Sequence, residues 1–201
     1  EEPVNYFYSR LEEHEDIFKK MATDSELTGS VMRVAEEVLE AFRNHGQLFL
    51  CGNGGSAADA QHIATEFVSR FYKERPAMNA EALTVNTSTL TAIGNDYSYE
   101  RVFARQLEAK AKRGDVLLAI STSGTSKNVL EALRYAKREG IITVMLMGQH
   151  DVPELPDICD YILKVPSKIT PRVQEAHIFI GHTIAEYVEH KMFETQVKTI
   201  K

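Results

Sequence analysis

His62 and Glu66 stand four residues apart in the stretch "CGNGGSAADAQHIATEF", Cys51 to Phe67, so on a helix both side chains leave from one face. Histidine and a carboxylate are the side-chain types that most readily exchange protons near neutral pH. The same spacing also describes a solvated pair on a helix surface. In "RVQEAHIFIGHTIAEYVEH", near the end of the chain, Gln174 and His182 fall about two turns apart among isoleucine, phenylalanine and valine. A histidine in that setting is as readily a hydrogen-bonded core residue. Spacing alone leaves both readings of each pair open.

Two loops carry a different chemistry. "GNGGS" at 52–56 and "STSGTS" at 121–126 each follow an apolar run and precede a helical one. Glycine lets backbone come close to an anion, and the N-terminus of the following helix points free N–H groups and partial positive charge at it. Five hydroxyls in the six residues of the second loop suit a phosphate monoester held by neutral donors, whereas the GxxxxGK[ST] pattern of nucleotide triphosphate sites is missing from the chain. Such loops also serve simply to turn the chain and cap helices.

The elements that must hold these residues alternate. Residues 3–45 read as helical, with Asp24 an N-cap between two helices and Gly46 a stop. "QLFLC" reads as a strand and 56–71 as a helix, broken at "ERP", 74–76. "EALTV" at 81–85 is a second strand, with helical segments up to Lys112. "DVLLAIS" at 115–121, a continuous apolar run, reads as a central parallel strand, followed by the helix "SKNVLEALRYAKREG". A strand at 141–148, a loop around Pro153 and Pro156, the strand "DYILKV" and a helix over 172–193 complete the chain. This order predicts a parallel sheet covered on both faces, with the N-terminal helices left for packing or assembly.

Composition narrows the function. With 201 residues, 43% of them hydrophobic, the chain suits one core, and a single domain over 1–201 is expected, with its helical segment at about 3–45. The net charge of -6 and the mixing of basic with acidic residues argue against nucleic acid as a partner. No window reaches membrane-spanning length, and a cytoplasmic protein is expected. Cys51 and Cys159 fit no metal or disulfide spacing and read as buried thiols.

Four stretches together, "CGNGGSAADAQHIATEF", "NAEALTVNTSTLTAIGNDYSYERVFARQ", "GDVLLAISTSGTSKNV" and "RVQEAHIFIGHTIAEYVE", resemble in order and content the sugar isomerase (SIS) domain family, and within it the phosphoheptose isomerases. The resemblance covers about residues 5–195. It implies an α/β three-layer sandwich with a central parallel, flavodoxin-like sheet plus N-terminal helices. It also implies a homotetrameric enzyme that converts sedoheptulose 7-phosphate to glycero-manno-heptose 7-phosphate for bacterial nucleotide-activated heptose synthesis. Position by position, Glu66 and His182 match the catalytic pair. Asn53, Gly54, Gly55 and Ser56 match the first substrate loop, and Ser121, Thr122, Ser123 and Ser126 the phosphate loop. Asn95 and Asp96 match a polar pair, and Gln174 a further substrate contact. His62, Glu66, Gln174 and His182 match a zinc site, one ion per subunit. Thr125 stands where the family commonly has Asn, and "GQHDVPELPD" replaces a glycine-rich loop.

An aldose and a ketose interconvert through an enediol, which needs a base to carry a proton between C1 and C2 and an acid to serve the oxygens. The resemblance assigns these roles to Glu66 and His182. Two alternatives share the fold. One is a non-catalytic SIS protein that regulates the bacterial replication initiator and lacks the glutamate; the other is an isomerase or binding protein for another phosphosugar. Apolar positions on the N-terminal helices, among them Leu27, Val31, Leu39 and Phe42, exceed what one sheet face can cover, so partner subunits are expected, with the His182 helix at an interface.

Overall fold

The runs "LFLCG" and "VLLAI" are buried at every residue, as only strands covered on both faces can be: Leu48–Gly52 forms β1 and Val116–Ile120 forms β3. In the computed structural model, which describes residues 2–194, the two pair in parallel from Leu48 opposite Val116 to Gly52 opposite Ile120. With β2 (Ala80–Ala82), β4 (Ile142–Met147) and β5 (Tyr161–Lys164) they make a parallel sheet in the order β2-β1-β3-β4-β5. That is the doubly wound, flavodoxin-like order. Glu1 and residues 195–201, the ends of the expected 1–201 span, lie outside the described residues.

Helices α1 (Pro3–Thr23), α2 (Ser25–Arg43), α3 (Gly55–Val68) and α8 (Thr170–Met192) cover one face, burying Val34, Val38, Ile63 and Ile180 against Leu50 and Leu118. Helices α4 (Thr87–Asp96), α5 (Ala104–Lys110), α6 (Lys127–Arg138) and the short α7 (Leu155–Ile158) cover the other, where Leu107, Leu133 and Leu155 join Phe49 and Leu117. The three layers are those expected.

Local chemistry explains most boundaries. The Asp24 carboxylate accepts from Leu27 N at 2.9 Å and caps α2 as expected. That helix stops at Arg43, and His45 rather than Gly46 takes the left-handed position, φ 57, while Gly46 N closes on Ala41 O at 2.7 Å. Several expectations need correction. The second strand spans three residues instead of 81–85, because the chain leaves the edge for α4, whose first turn Asn86 caps. The helix after the first loop ends at Val68, short of Phe71. The region around Pro156 contains α7, with proline in its first turn, where a loop was expected. Leu27, Val31, Leu39 and Phe42 are buried within this one chain, so they are not the surplus apolar surface. That surplus sits on α1 instead, where Val4, Tyr6, Phe7, Tyr8 and Leu11 are exposed. Both cysteines are buried as expected, and burial pushes each thiol up to about 12.

Candidate active site

β1 and β3 are neighbours whose following helices leave to opposite faces, so the crevice beyond their carboxyl ends is the topological switch point where ligands of such sheets bind. Both polar loops open there. At the first, Gly54 adopts φ 56 and ψ -120, a conformation closed to other residues, and this lets α3 start directly behind the strand with Ser56 buried in its first turn. At the second, the Ser121 hydroxyl accepts from Gly124 N at 3.1 Å and meets the Ser126 hydroxyl at 3.1 Å. Ser123 pairs with Thr125 at 2.9 Å, so threonine at 125 keeps a hydroxyl in the loop's own network. Ser121 is buried, and Thr122, Ser123 and Ser126 are half-buried.

The two loops are joined. Asn53 Nδ2 donates to Asn128 Oδ1 and Asn128 Nδ2 donates to Asn53 Oδ1, both at 2.8 Å, and the Tyr99 hydroxyl adds a third bond to Asn53 Oδ1 at 3.0 Å. Neither Asn128 nor Tyr99 was among the residues singled out in the sequence. The only signal for Asn128 is an amide directly before Val129 and Leu130 in the first turn of α6, where a polar residue facing the core needs a partner. Asn95 and Asp96, at the exposed end of α4, bond each other at 3.0 Å and are linked to neither loop by a hydrogen bond.

His62, Glu66 and His182 converge. Their ligand atoms all lie within 4.8 Å of one another, with His62 Nε2 2.8 Å from His182 Nε2 and 3.7 Å from Glu66 Oε1. The meeting depends on α3 and α8 lying close together with Gly181 against Ile63, where a β-carbon on the glycine would collide with the isoleucine side chain. The two facing imidazole nitrogens at 2.8 Å form a hydrogen bond only if one is protonated and the other bare. Lone pairs turned on one point, with a carboxylate beside them, are a donor set that suits a borderline divalent cation. Gln174 sits elsewhere: its Nε2 would be 2.5 Å from a β-carbon on Gly55, at the opposite end of α3 from Glu66. Asp59, one turn before His62, has an Oδ2 buried without a hydrogen-bond partner. Its burial raises its pKa, against the opposing field of His62.

A buried ion pair stands behind the trio. Arg75 donates from Nε to Glu189 Oε1 at 3.0 Å, from Nη2 to the carbonyl of Glu66 at 2.7 Å and from Nη1 to that of Phe67 at 2.6 Å. Glu189, on α8, also accepts from the backbone N–H groups of Phe71, Tyr72 and Lys73. Burial works to raise the Glu189 pKa, but these donors outweigh it and hold it below the usual carboxylate value. In the sequence Arg75 looked only like part of a chain break. A carboxylate on the core-facing stripe of the last helix was the one hint of Glu189.

A family model described as a SIS domain matches residues 11–148. The phosphoheptose isomerase of Aneurinibacillus thermoaerophilus is 47% identical over 197 residues, which span 98% of this chain and 99% of that protein. Phosphoheptose isomerase 2 of Campylobacter jejuni is 51% identical over 175 residues, 87% of each chain. Among solved structures, phosphoheptose isomerase GmhA from Neisseria gonorrhoeae superposes with a TM-score of 0.85 at 36% identity, covering 92% of this chain and 98% of its own.

Proposed function

The chain belongs to the SIS domain family, among its phosphoheptose isomerases, and from that premise we propose that it interconverts sedoheptulose 7-phosphate and D-glycero-D-manno-heptose 7-phosphate, in the cytoplasm, at the head of nucleotide-activated heptose synthesis. It is a phosphosugar isomerase. The observation that carries the finer reading is the meeting of Glu66 with His182 and His62, in a chain that also holds two phosphate-type loops at the switch point of its sheet.

In the ketose-to-aldose direction, the hydroxyls of Ser121, Thr122, Ser123 and Ser126 and the free N–H groups at the start of α6 bind the phosphate with neutral donors. That binding energy holds C1 and C2 against the base. The Glu66 carboxylate takes a proton from C1 while His182 gives one to O2, yielding the enediol. Glu66 then returns a proton to C2 as O1 gives up its own to the histidine, and C1 becomes the carbonyl carbon.

His62, Glu66 and His182 would hold a zinc ion, and their convergence within 4.8 Å fits that group. When bound, the ion would polarise the substrate carbonyl. Gln174, expected as a fourth ligand, lies against Gly55 and would have to leave it to join them.

Assembly completes the reading. Gly55 and Glu66 are separated by three turns of α3, roughly 16 Å of rise, so the loop end and the acid–base end of one chain are far apart for one heptose phosphate. His62 remains 51% exposed, and the apolar face of α1 is uncovered. A homotetramer of dihedral symmetry, in which a neighbouring chain closes each site, accommodates all three observations.

The deciding experiment offers purified protein sedoheptulose 7-phosphate and follows formation of the aldose. Turnover supports the reading. Binding without turnover would favour a non-catalytic sugar-binding role, and turnover only of a shorter phosphosugar would move the substrate assignment.

A further inference from the structure

Asn53 is almost fully committed before any ligand arrives. Its Oδ1 accepts from Asn128 Nδ2 and from the Tyr99 hydroxyl, filling both lone pairs, while one proton of its Nδ2 goes to Asn128 Oδ1. One N–H is left. Two asparagines bonded reciprocally could both be flipped and still pair, and a phenolic hydroxyl can donate or accept; in the arrangement found here Tyr99 donates to Asn53 Oδ1, which leaves an N–H rather than a carbonyl oxygen free. Tyr99 thus holds the Asn53 amide at a third point, and Asn128, buried at 3% exposure, supplies the rigid half of the pair.

The segment that carries Tyr99 is itself braced to the second loop's helix. Tyr99–Arg101 is a single 3-10 turn. Glu100 pairs with Lys127, the first residue of α6, at 3.1 Å, and Arg101 with Glu131 on the same helix at 3.2 Å. One turn thus spans from the first loop, through Tyr99, to the residue directly behind the second, through Glu100.

We propose that Asn128 and Tyr99 are positioning residues that lock the Asn53 side chain as a hydrogen-bond donor aimed at an oxygen of the bound phosphosugar, so that the two loops act as one binding unit. This rests on the isomerase reading and adds to it residues that do not themselves touch reacting atoms. A locked donor binds an oxygen acceptor without first having to be ordered, and loses that advantage when its partners go.

The test is a double-mutant cycle between Tyr99→Phe and Asn53→Ala, read as KM against kcat with sedoheptulose 7-phosphate. The Tyr99 hydroxyl removed is on an exposed side chain, so melting temperature should stay at the wild-type value. Tyr99→Phe is expected to raise KM about fivefold, the weight of one neutral hydrogen bond, with kcat within about twofold. In the Asn53→Ala background it should change nothing further. Asn128→Asp, which accepts from Asn53 but cannot donate to it, should reproduce the KM defect. Independent, multiplying effects in the cycle would overturn the proposal, as would a Tyr99→Phe enzyme with unchanged KM. A ligand-free readout separates this failure from failure of the isomerase reading: the side-chain amide proton resonances of Asn53 should be shifted and protected in the wild type and lose protection in Tyr99→Phe. Free, rapidly exchanging amide protons in the wild type refute the lock whatever the substrate is, while a protected amide in a protein that does not turn over the heptulose removes only the substrate assignment.

Discussion

Arg75 and Glu189 form an ion pair at 3.0 Å with side chains 0% and 2% exposed, and the same guanidinium holds the carbonyl of Glu66. The pair ties the last turn of α3, which carries Glu66, to α8, which carries His182 two turns before Glu189. Breaking one half leaves a buried charge without its partner, at a cost of about 3–5 kcal/mol. Arg75→Met should lower unfolding free energy by that order in denaturant titration. It should also lower kcat, because the end of α3 is no longer fixed. Arg75→Lys restores charge but not the fork that reaches the carbonyls of Glu66, Phe67, Ser69 and Pro76 and should recover only part of either loss. Wild-type stability in Arg75→Met would refute the account of the clamp.

Glu66→Gln keeps size and hydrogen bonding but cannot take a proton. Steady-state kinetics should show kcat reduced by about 100-fold or more with KM little changed. Retention of more than a tenth of wild-type kcat would remove Glu66 from the role of base.

Ser121→Ala and Ser123→Ala should each weaken phosphosugar binding by about 1 kcal/mol, measured by calorimetry. Ser121→Ala also removes the buried hydroxyl that meets Ser126 and accepts from Gly124 N, leaving that N–H only the Ser121 carbonyl, and should cost folding stability, whereas the more exposed Ser123→Ala should not. Equal affinity for the heptulose with and without its phosphate would contradict the assignment of the loop.

His177 lies wholly buried on α8, donating from Nε2 to the carbonyl of Met147 at 3.1 Å with Nδ1 unpartnered. Burial lowers its pKa from 6.5 to about 4. The unfolded chain binds the proton first, so stability is full above pH 6.5 and falls as pH drops toward 4. The loss approaches about 3 kcal/mol at about 1.4 kcal/mol per pH unit. In His177→Gln, which keeps a donor and cannot ionise, unfolding measured between pH 6.5 and 4 should lose this part of its slope.

Added zinc should raise the melting temperature and a chelator should lower it, by about 2.7 kcal/mol of stabilisation at a hundredfold excess over Kd. His62→Ala should abolish the response. A melting temperature indifferent to zinc in the wild type would show that the trio does not hold the metal.

What the sequence determined by itself was whatever a local pattern encodes. Uninterrupted apolar runs such as Leu48–Cys51 and Val116–Ile120 can be satisfied only in a doubly covered sheet, and Asp24 ends one helix with its backbone N–H and begins the next with its carboxylate. The two loops were legible because glycine and hydroxyl residues cluster within five or six positions. Tertiary structure decided everything that depends on distant positions meeting. His62 and His182 are 120 residues apart, and only the close packing of α3 on α8 at Gly181 brings their nitrogens together, while the same packing seats Gln174 at the far end of α3. Leu27 and Phe42 looked like surplus because apolar periodicity reports that a face is covered, not by what. Arg75, Glu189, Asn128 and Tyr99 went unseen for the matching reason: a polar side chain reveals a buried role only when its partner, contributed from elsewhere in the chain, is in place.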